Sequence, residues 1–243
     1  MLALITAAGK GTRLGKLTQN SNKCLIRVSG RSLLKHSLNN LRAHSLPRPL
    51  IVTGYAASRI KEELNGCADF IYNPHYEESG PLVSIWSARE KLIGKSFVIL
   101  MGDILYDADI LKRCIRARGR VVMCVQKKEH AMGPIDSKVS IHNGRVIEMG
   151  KNLDEARTTG EFVGVVKIDR TINRKFFNLV EKLLMEGKPQ GLLMDVLMRV
   201  QGKGESIKIV YTDGKLCMEV DTPRELKLAR KLLPDARKLL SAK

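Results

Sequence analysis

Leu2-Ala3-Leu4-Ile5-Thr6-Ala7-Ala8-Gly9-Lys10-Gly11-Thr12-Arg13-Leu14 stands at the head of the chain, with Lys23-Cys24-Leu25 shortly after it. The run Leu2–Thr6 reads as a short buried strand. Small residues at Ala7, Ala8, Gly9 and Gly11 let the backbone after it turn sharply and bring its N–H groups close to an anion. Lys10, Arg13 and Lys23 add cations, and a guanidinium can grip phosphate with a two-pronged fork. Taken alone, a glycine-rich turn also serves simply to leave a strand in many α/β proteins.

Working outward, short apolar runs alternate with amphipathic stretches of helical length, the pattern of a mainly parallel sheet covered by helices. Strands are expected at Leu2–Thr6, Leu50–Thr53, Asp69–Tyr72, Phe97–Leu100, Val121–Gln126 and Phe162–Ile168, then at Ile207–Tyr211 and Leu216–Val220. Helices are expected at Ser32–Arg42, with Ser32 as N-cap, and at Ser58–Leu64, Leu82–Leu92, Ala108–Arg118, Asn173–Glu186 and Leu192–Gln201. Asn143-Gly144 is a strong two-residue turn signal between Val139-Ser140-Ile141 and Val146-Ile147. It predicts a small β insertion that projects from the sheet and shapes the pocket of a second substrate. Ligands of such sheets sit beyond the carboxyl ends of the strands, so the glycine-rich loop and the turn after Phe97–Leu100 should face one cleft.

The 243 residues suit one domain spanning 1–243, since no Pro/Gly/Ser-rich linker or internal period divides them. The first apolar run is too short for a membrane span and has no basic leader, so a cytoplasmic protein without stable membrane insertion is expected. Five dispersed cysteines, Cys24, Cys67, Cys114, Cys124 and Cys217, form no zinc-like pair and read as reduced core residues. Lys and Arg total 42 against 25 Asp and Glu, a formal net charge of +17, which suits anionic partners. The basic residues are scattered and aromatics are only 5%, a poor match to a nucleic-acid surface, so no nucleic-acid partner is expected. A triphosphate, a phosphorylated co-substrate or simply a solvated basic surface accounts for the same charge.

Two acidic strand ends carry the remaining chemistry. Met101-Gly102-Asp103 follows a buried-looking strand, and the glycine is expected to leave room for a phosphate. Asp103 is a metal ligand on this reading, or a turn or cap residue beside Asp107. Met218-Glu219-Val220-Asp221-Thr222-Pro223 again ends a strand before a helix, where Asp221 is a second ligand or an N-cap. From Arg224 onward a basic amphipathic tail with Leu226, Ala229, Leu232, Leu233, Ala236, Leu239 and Leu240 runs past Pro234. A helix packed on the domain or a dimer partner is preferred there to one touching an anionic membrane.

Taken together, Ala7–Leu14, Lys23, Asp103 and the acidic end at Asp221 resemble the nucleotidyltransferases that make nucleotide-activated sugars and alcohols. The resemblance spans nearly the whole chain. It implies a GT-A-like Rossmann-type three-layer α/β sandwich with a mainly parallel mixed sheet. It further implies Mg²⁺ held by Asp103 and Asp221, with Glu219 as an additional ligand, and no covalent enzyme intermediate. Arg13 would hold the departing pyrophosphate over the amides of Gly9, Lys10, Gly11 and Thr12, and Lys23 would sit near the α-phosphate.

Softer matches extend the likeness. Val52-Thr53-Gly54-Tyr55 resembles a family turn that borders the base, placing Gly54 and Tyr55 among the nucleotide contacts. Asn73-Pro74-His75-Tyr76 through Ser87-Ala88 resembles the choline-phosphate cytidylyltransferase branch, where Ser79, Gly80 and Ser84 would meet the nucleoside. Trp86 in that stretch reads as core packing. Thr159-Gly160-Glu161-Phe162-Val163-Gly164 resembles the segment that meets the acceptor, giving roles to Glu161 and, for its phosphate, Lys167. Two departures stand out. Asn22 replaces the proline that many relatives carry before the lysine, which predicts a looser or shifted loop, and Pro81 replaces a Gly-Thr feature of UTP and dTTP enzymes, which favours CTP. The implied reaction joins a nucleoside triphosphate, CTP foremost, to a phosphorylated alcohol such as inositol or choline phosphate, in a monomer or homodimer. A sugar-1-phosphate with UTP, dTTP or GTP is the alternative, followed by a non-catalytic nucleotide-binding or nucleic-acid-binding protein.

Overall fold

The structure is a computed structural model that describes residues 1–129, 132 and 136–233. The expectation for Pro234, Ala236, Leu239 and Leu240 therefore lies outside the described residues. The strands are β1 (Leu2–Ala7), β2 (Arg27–Val28), β3 (Arg31–Ser32), β4 (Leu50–Thr53), β5 (Asp69–Tyr72), β6 (Phe97–Met101), β7 (Ile104–Tyr106), β8 (Val121–Lys127), β9 (Lys138–His142), β10 (Arg145–Gly150), β11 (Gly160–Ile168), β12 (Ile207–Tyr211) and β13 (Cys217–Glu219). The helices are α1 (Leu33–Ala43), α2 (Ala57–Leu64), α3 (Pro81–Ser87), α4 (Arg89–Leu92), α5 (Ala108–Arg116), α6 (Arg170–Met185), α7 (Leu193–Gly202) and α8 (Pro223–Leu232).

Among the described residues, nine strands make one sheet in the order β10-β9-β11-β6-β1-β4-β5, with β8 against β11 and β12 against β8. Strands β5, β4, β1 and β6 run parallel, as do β8 and β12. Only β11 and β10 oppose the common direction, because β11 is antiparallel to β6, β8 and β9, and β10 to β9. Alternate residues of the central strands enter different cores. Leu4, Phe97, Ile99, Val121 and Met123 pack with Leu82, Ile85, Phe176 and Leu197 of α3, α6 and α7. Ala3, Ile5, Val98, Leu100 and Val122 pack with Leu38, Ile60 and Leu111 of α1, α2 and α5. A sheet covered on both faces needs apolar residues at every position, which explains the near-continuous hydrophobic runs.

The predicted element starts are closely matched, and Ser32 caps α1 by accepting from the Lys35 amide at 3.3 Å. Two regions differ. The segment expected at Leu82–Leu92 is two helices meeting at Ala88. The last strand leaves the sheet and pairs with β7, which was not foreseen, in a separate ribbon. A third apolar cluster, with Leu14, Ile26, Val28, Leu105, Val220, Leu226 and Ala229, seats that ribbon and α8 beside the glycine-rich loop.

The Asn143-Gly144 hairpin forms as expected, with φ of 48° and 71° at its two turn residues. It does not project. Val139 and Val146 are buried in the main core, β9 pairs with Gly160 and Glu161 of β11, and Gln201 of α7 donates to the Val146 carbonyl. The tip, at Gly144 and Arg145, lies with Arg118 and Ile207 near the starts of β8 and β12. That end of the sheet is opposite the glycine-rich loop, so the tip does not shape the cleft there.

Candidate active site

Strands β1, β4 and β6 end in register, with Thr6 opposite both Val52 and Met101. Beyond these carboxyl ends lies a cleft of about 280 Å³. Ala7, Ala8, Gly9, Gly11, Thr12, Arg13, Lys23, Ser79, Gly80, Ser84 and Asp103 all line it, so most of the expected site converges there. The loop and the acidic turn are joined directly, because the Gly102 amide donates to the Thr6 carbonyl at 2.9 Å.

Glycine is required at two points around that junction. A Cβ on Gly102 would lie 2.5 Å from the Thr6 carbonyl oxygen and 2.8 Å from the Cys24 sulfur. The space that was expected to admit phosphate is thus taken by the protein's own β1 end and Cys24. Gly11 has φ of +65°, and a Cβ there would lie 2.6 Å from the Lys23 Cβ. Gly9 is different, since nothing stands within 4 Å of its Cβ position. Among the described residues, no group accepts from the N–H of Gly9, Lys10, Gly11 or Thr12. Four successive amides without acceptors, next to open space at Gly9, make a cradle that an anion could fill.

The charged groups meet at the mouth of this cradle. Lys23 Nζ lies 2.5 Å from Asp103 Oδ2 and also contacts Asp221 Oδ1, while Arg13 pairs with Asp221 Oδ2. Burial works against the Lys23 charge, yet the two carboxylates outweigh it and hold the ammonium above the ordinary lysine range. Burial would likewise raise Asp103, but Lys23 overrides it and keeps the carboxyl below its usual range. Asp103 Oδ1 is buried without a hydrogen-bond partner. An orphaned carboxylate oxygen, with a second aspartate bound to the same lysine, has the hard oxygen chemistry that suits Mg²⁺, which uses one or two carboxylates and completes its shell with phosphate and water.

The capping alternatives are answered by geometry. Asp107 caps α5 by accepting from the Asp109 amide at 2.8 Å, leaving Asp103 free of that task. Thr222 caps α8 in a box with Glu225, and the Glu225 carboxylate takes the Asp221 and Thr222 amides at 2.6 and 2.8 Å. The Asp221 side chain is thereby released toward Lys23 and Arg13. Glu219, on the same ribbon, is pushed up to about 8 by burial and by the charges of Asp103 and Asp221. Among the described residues no three acidic, histidine or cysteine side chains cluster as a metal cage, so Glu219 does not complete one with the two aspartates.

Other expected residues take different places. Lys10 turns away to Glu77 at 2.7 Å and does not line the cleft. Gly54 and Tyr55 stand behind the loop: the Tyr55 amide donates to the Ala8 carbonyl at 2.9 Å, and a Gly54 Cβ would fall 2.4 Å from the Tyr76 Cβ. Glu161, on β11, is raised to about 7 by burial, then by Asp136 and Glu225, and also acts on the charge of Glu219. It lies beside the acidic ribbon, outside the cleft lining. Lys167, expected to meet the acceptor phosphate, does not reach the cleft. Its ammonium is buried against the carbonyls of Ile115 and Ala117, and its backbone pairs with Val98 near the start of β6, far from the strand ends that carry the cleft.

The lining also includes Asn73 and Tyr76, to which the sequence reading gave no role. Asn73, almost wholly buried, donates to the hydroxyls of Ser79 and Ser84 at 3.3 and 3.2 Å and so fixes one wall. Tyr76 supplies an aromatic face. The run Asn73-x-x-Tyr76 next to two serines was the available signal. Trp86 packs its ring 6.5 Å from Phe177, as expected of a core residue. The cysteines are all free, and burial followed by Asp103 pushes the Cys24 thiol up to about 12, so it offers no thiolate.

Open amides, two cations and two carboxylates beyond the carboxyl ends of parallel strands suit the phosphates of a nucleotide. The chain belongs to the MobA-like NTP transferase domain family, whose model matches residues 3–162. It is 31% identical over 239 residues to a bifunctional IPC transferase and DIPP synthase of Thermococcus kodakarensis, covering 95% of this chain and 50% of that protein. It is 22% identical to a CTP:phosphoglutamine cytidylyltransferase of Campylobacter jejuni, with 94% and 98% covered. The inositol-1-phosphate CTP transferase of T. maritima has the same fold, at a TM-score of 0.78 and 21% identity over 95% of each chain. The chain spans about half the length of the first curated relatives it matches.

Proposed function

We propose that this domain, taken as a single unit, transfers a cytidylyl group from CTP to a phosphorylated small alcohol or polyol, inositol or choline phosphate being the model acceptors, and releases pyrophosphate. The observation that carries the reading is the convergence of Arg13, Lys23, Asp103 and Asp221 on one cradle of open amides. The names of the relatives, which concern inositol phosphate, phosphoglutamine and CTP, favour this acceptor class and this base.

In the reaction an acceptor phosphate oxygen forms a bond to the α-phosphorus while the bond to the β-phosphate oxygen breaks. The residues act by position and charge. The Gly9–Thr12 amides and Arg13 hold the β- and γ-phosphates that depart as pyrophosphate. Lys23 reaches the α-phosphate, where charge builds as five oxygens crowd one phosphorus. Asp103 and Asp221 would hold Mg²⁺, which neutralises repulsion between the two anionic substrates. Ser79, Gly80 and Ser84 face the nucleoside, while Glu161, outside the cleft lining, is assigned to the acceptor by the family resemblance alone. No side chain forms a covalent intermediate, and the acceptor phosphate is already ionised, so no general base is needed.

Pyrophosphate release across CTP, UTP, dTTP and GTP, each with inositol, choline and sugar phosphates, tests the proposal. CTP with a phosphorylated alcohol should dominate. Preference for a sugar-1-phosphate with another triphosphate would replace this reading by its nearest rival.

A further inference from the structure

Asn22 stands where a looser or shifted loop was expected, and the structure shows a tightly tied one. Its side chain is fully buried. Nδ2 donates to the carbonyls of Ala7 at 3.0 Å, Gly9 at 3.1 Å and Tyr55 at 3.0 Å, and Oδ1 accepts from the Cys24 amide at 2.9 Å. Two amide hydrogens thus serve three carbonyls, one of them shared. The side chain ties together three segments: the cradle, the Gly54–Tyr55 turn behind it, and the one-turn helix at Lys23–Leu25 that carries Lys23.

We propose that Asn22 is the positioning residue of the cradle, resting on the reading that the cradle takes the triphosphate. By pinning the Ala7 and Gly9 carbonyls inward, it leaves the amides that follow free to face an anion. By capping the turn at Cys24, it fixes the base of the Lys23 side chain. Donor and acceptor therefore do separable work: Nδ2 shapes the phosphate cradle, and Oδ1 aims the lysine. Proline is the informative comparison, because Asn22 has φ of −71° and ψ of 143°, values a proline adopts without strain. Its backbone would fit and all four hydrogen bonds would vanish.

The test measures binding of Mg-CTP, Mg-UTP, Mg-dTTP and Mg-GTP by calorimetry on the full chain, without acceptor, and then turnover. Asn22→Ser keeps a cap for Cys24 but reaches none of the carbonyls. It should weaken the best-bound triphosphate about tenfold, the worth of one or two hydrogen bonds, with kcat within about threefold of wild type. Asn22→Pro should show the same loss of affinity and an additional fall of about tenfold in kcat, since Lys23 is no longer aimed. Both variants keeping wild-type affinity, or both merely lowering the active fraction, overturns the proposal. Should either variant fail to fold, the Asn22 side-chain amide of the wild-type protein decides: its hydrogens should exchange slowly by NMR, and fast exchange overturns the assignment. Binding needs no acceptor, so tight triphosphate binding without pyrophosphate release would defeat the proposed reaction and leave this inference standing.

Discussion

Replacing Lys23 by methionine removes the cation that stands between Asp103 and Asp221 while keeping most of its buried stem. The ammonium is 2.5 Å from Asp103, and the side chains of Lys23 and Asp221 are only 13% and 5% exposed. Deleting one partner of a buried ion pair costs about 3–5 kcal/mol, and Arg13, still paired with Asp221, favours the lower end. At about 2–4 °C per kcal/mol for a chain of this size, the melting temperature should fall by roughly 6–20 °C. The pH dependence has a definite sign. Lys23 holds Asp103 below its usual range, so its contribution is present above the ordinary aspartate pKa and lost as pH falls through the lowered one. The gap between wild type and variant should therefore close in acid. The assay is thermal melting with and without millimolar MgCl₂, in the absence of nucleotide. In the variant Mg²⁺ should recover a good part of the loss, because it replaces the missing charge between two carboxylates. In the wild type Lys23 already occupies that position, and Mg²⁺ alone should shift the melt little. Equal responses of the two proteins, or an unchanged melting temperature in Lys23→Met, would refute the reasoning. Turnover in the variant should drop by about 10²–10³.

Glu161→Gln should flatten the pH dependence of stability: a carboxyl raised to about 7 favours the fold below its unfolded pKa, and that contribution fades as pH rises through 7. The difference between pH 5 and pH 8 should shrink by up to about 3 kcal/mol in denaturant titrations. Gly102→Ala should destabilise the fold by about 1–3 kcal/mol, because the new methyl meets the Thr6 carbonyl and Cys24 sulfur inside contact distance, and urea midpoints will show it. Lys167→Met should leave the KM of both substrates unchanged, since its ammonium binds carbonyls at the other end of the sheet; a raised acceptor KM would restore it to the site.

Much of the molecule was legible because its signals are local. Period and cap chemistry placed β4, β5 and β12 to the residue, and Ser32 at its cap. The cradle was legible because closely spaced small residues and cations serve one task. What could not be read was non-local. Lys167 alternates onto a face whose partner is the end of α5, a fact of strand pairing that no neighbouring residue announces. Asn22 looked like a lost proline because its partners at Ala7, Gly9 and Tyr55 are as much as 33 positions away. The hairpin turn was evident, but its docking depended on Val139 and Val146 finding the main core.

The ribbon of β7 and β13 joins positions far apart, and Asp221 reaches Lys23 across 198 residues of chain. Closing so long a loop is entropically slow, and contacts of this separation form late. The cradle lies mostly in one short stretch of sequence, and its braces, Asn22 and the Tyr55 turn, come from no further than the end of β4. On the proposed function, triphosphate affinity and metal affinity should return on different clocks during refolding, the first with the sheet and the second when the ribbon docks. The enzyme's own ligands would then serve as reporters of folding order.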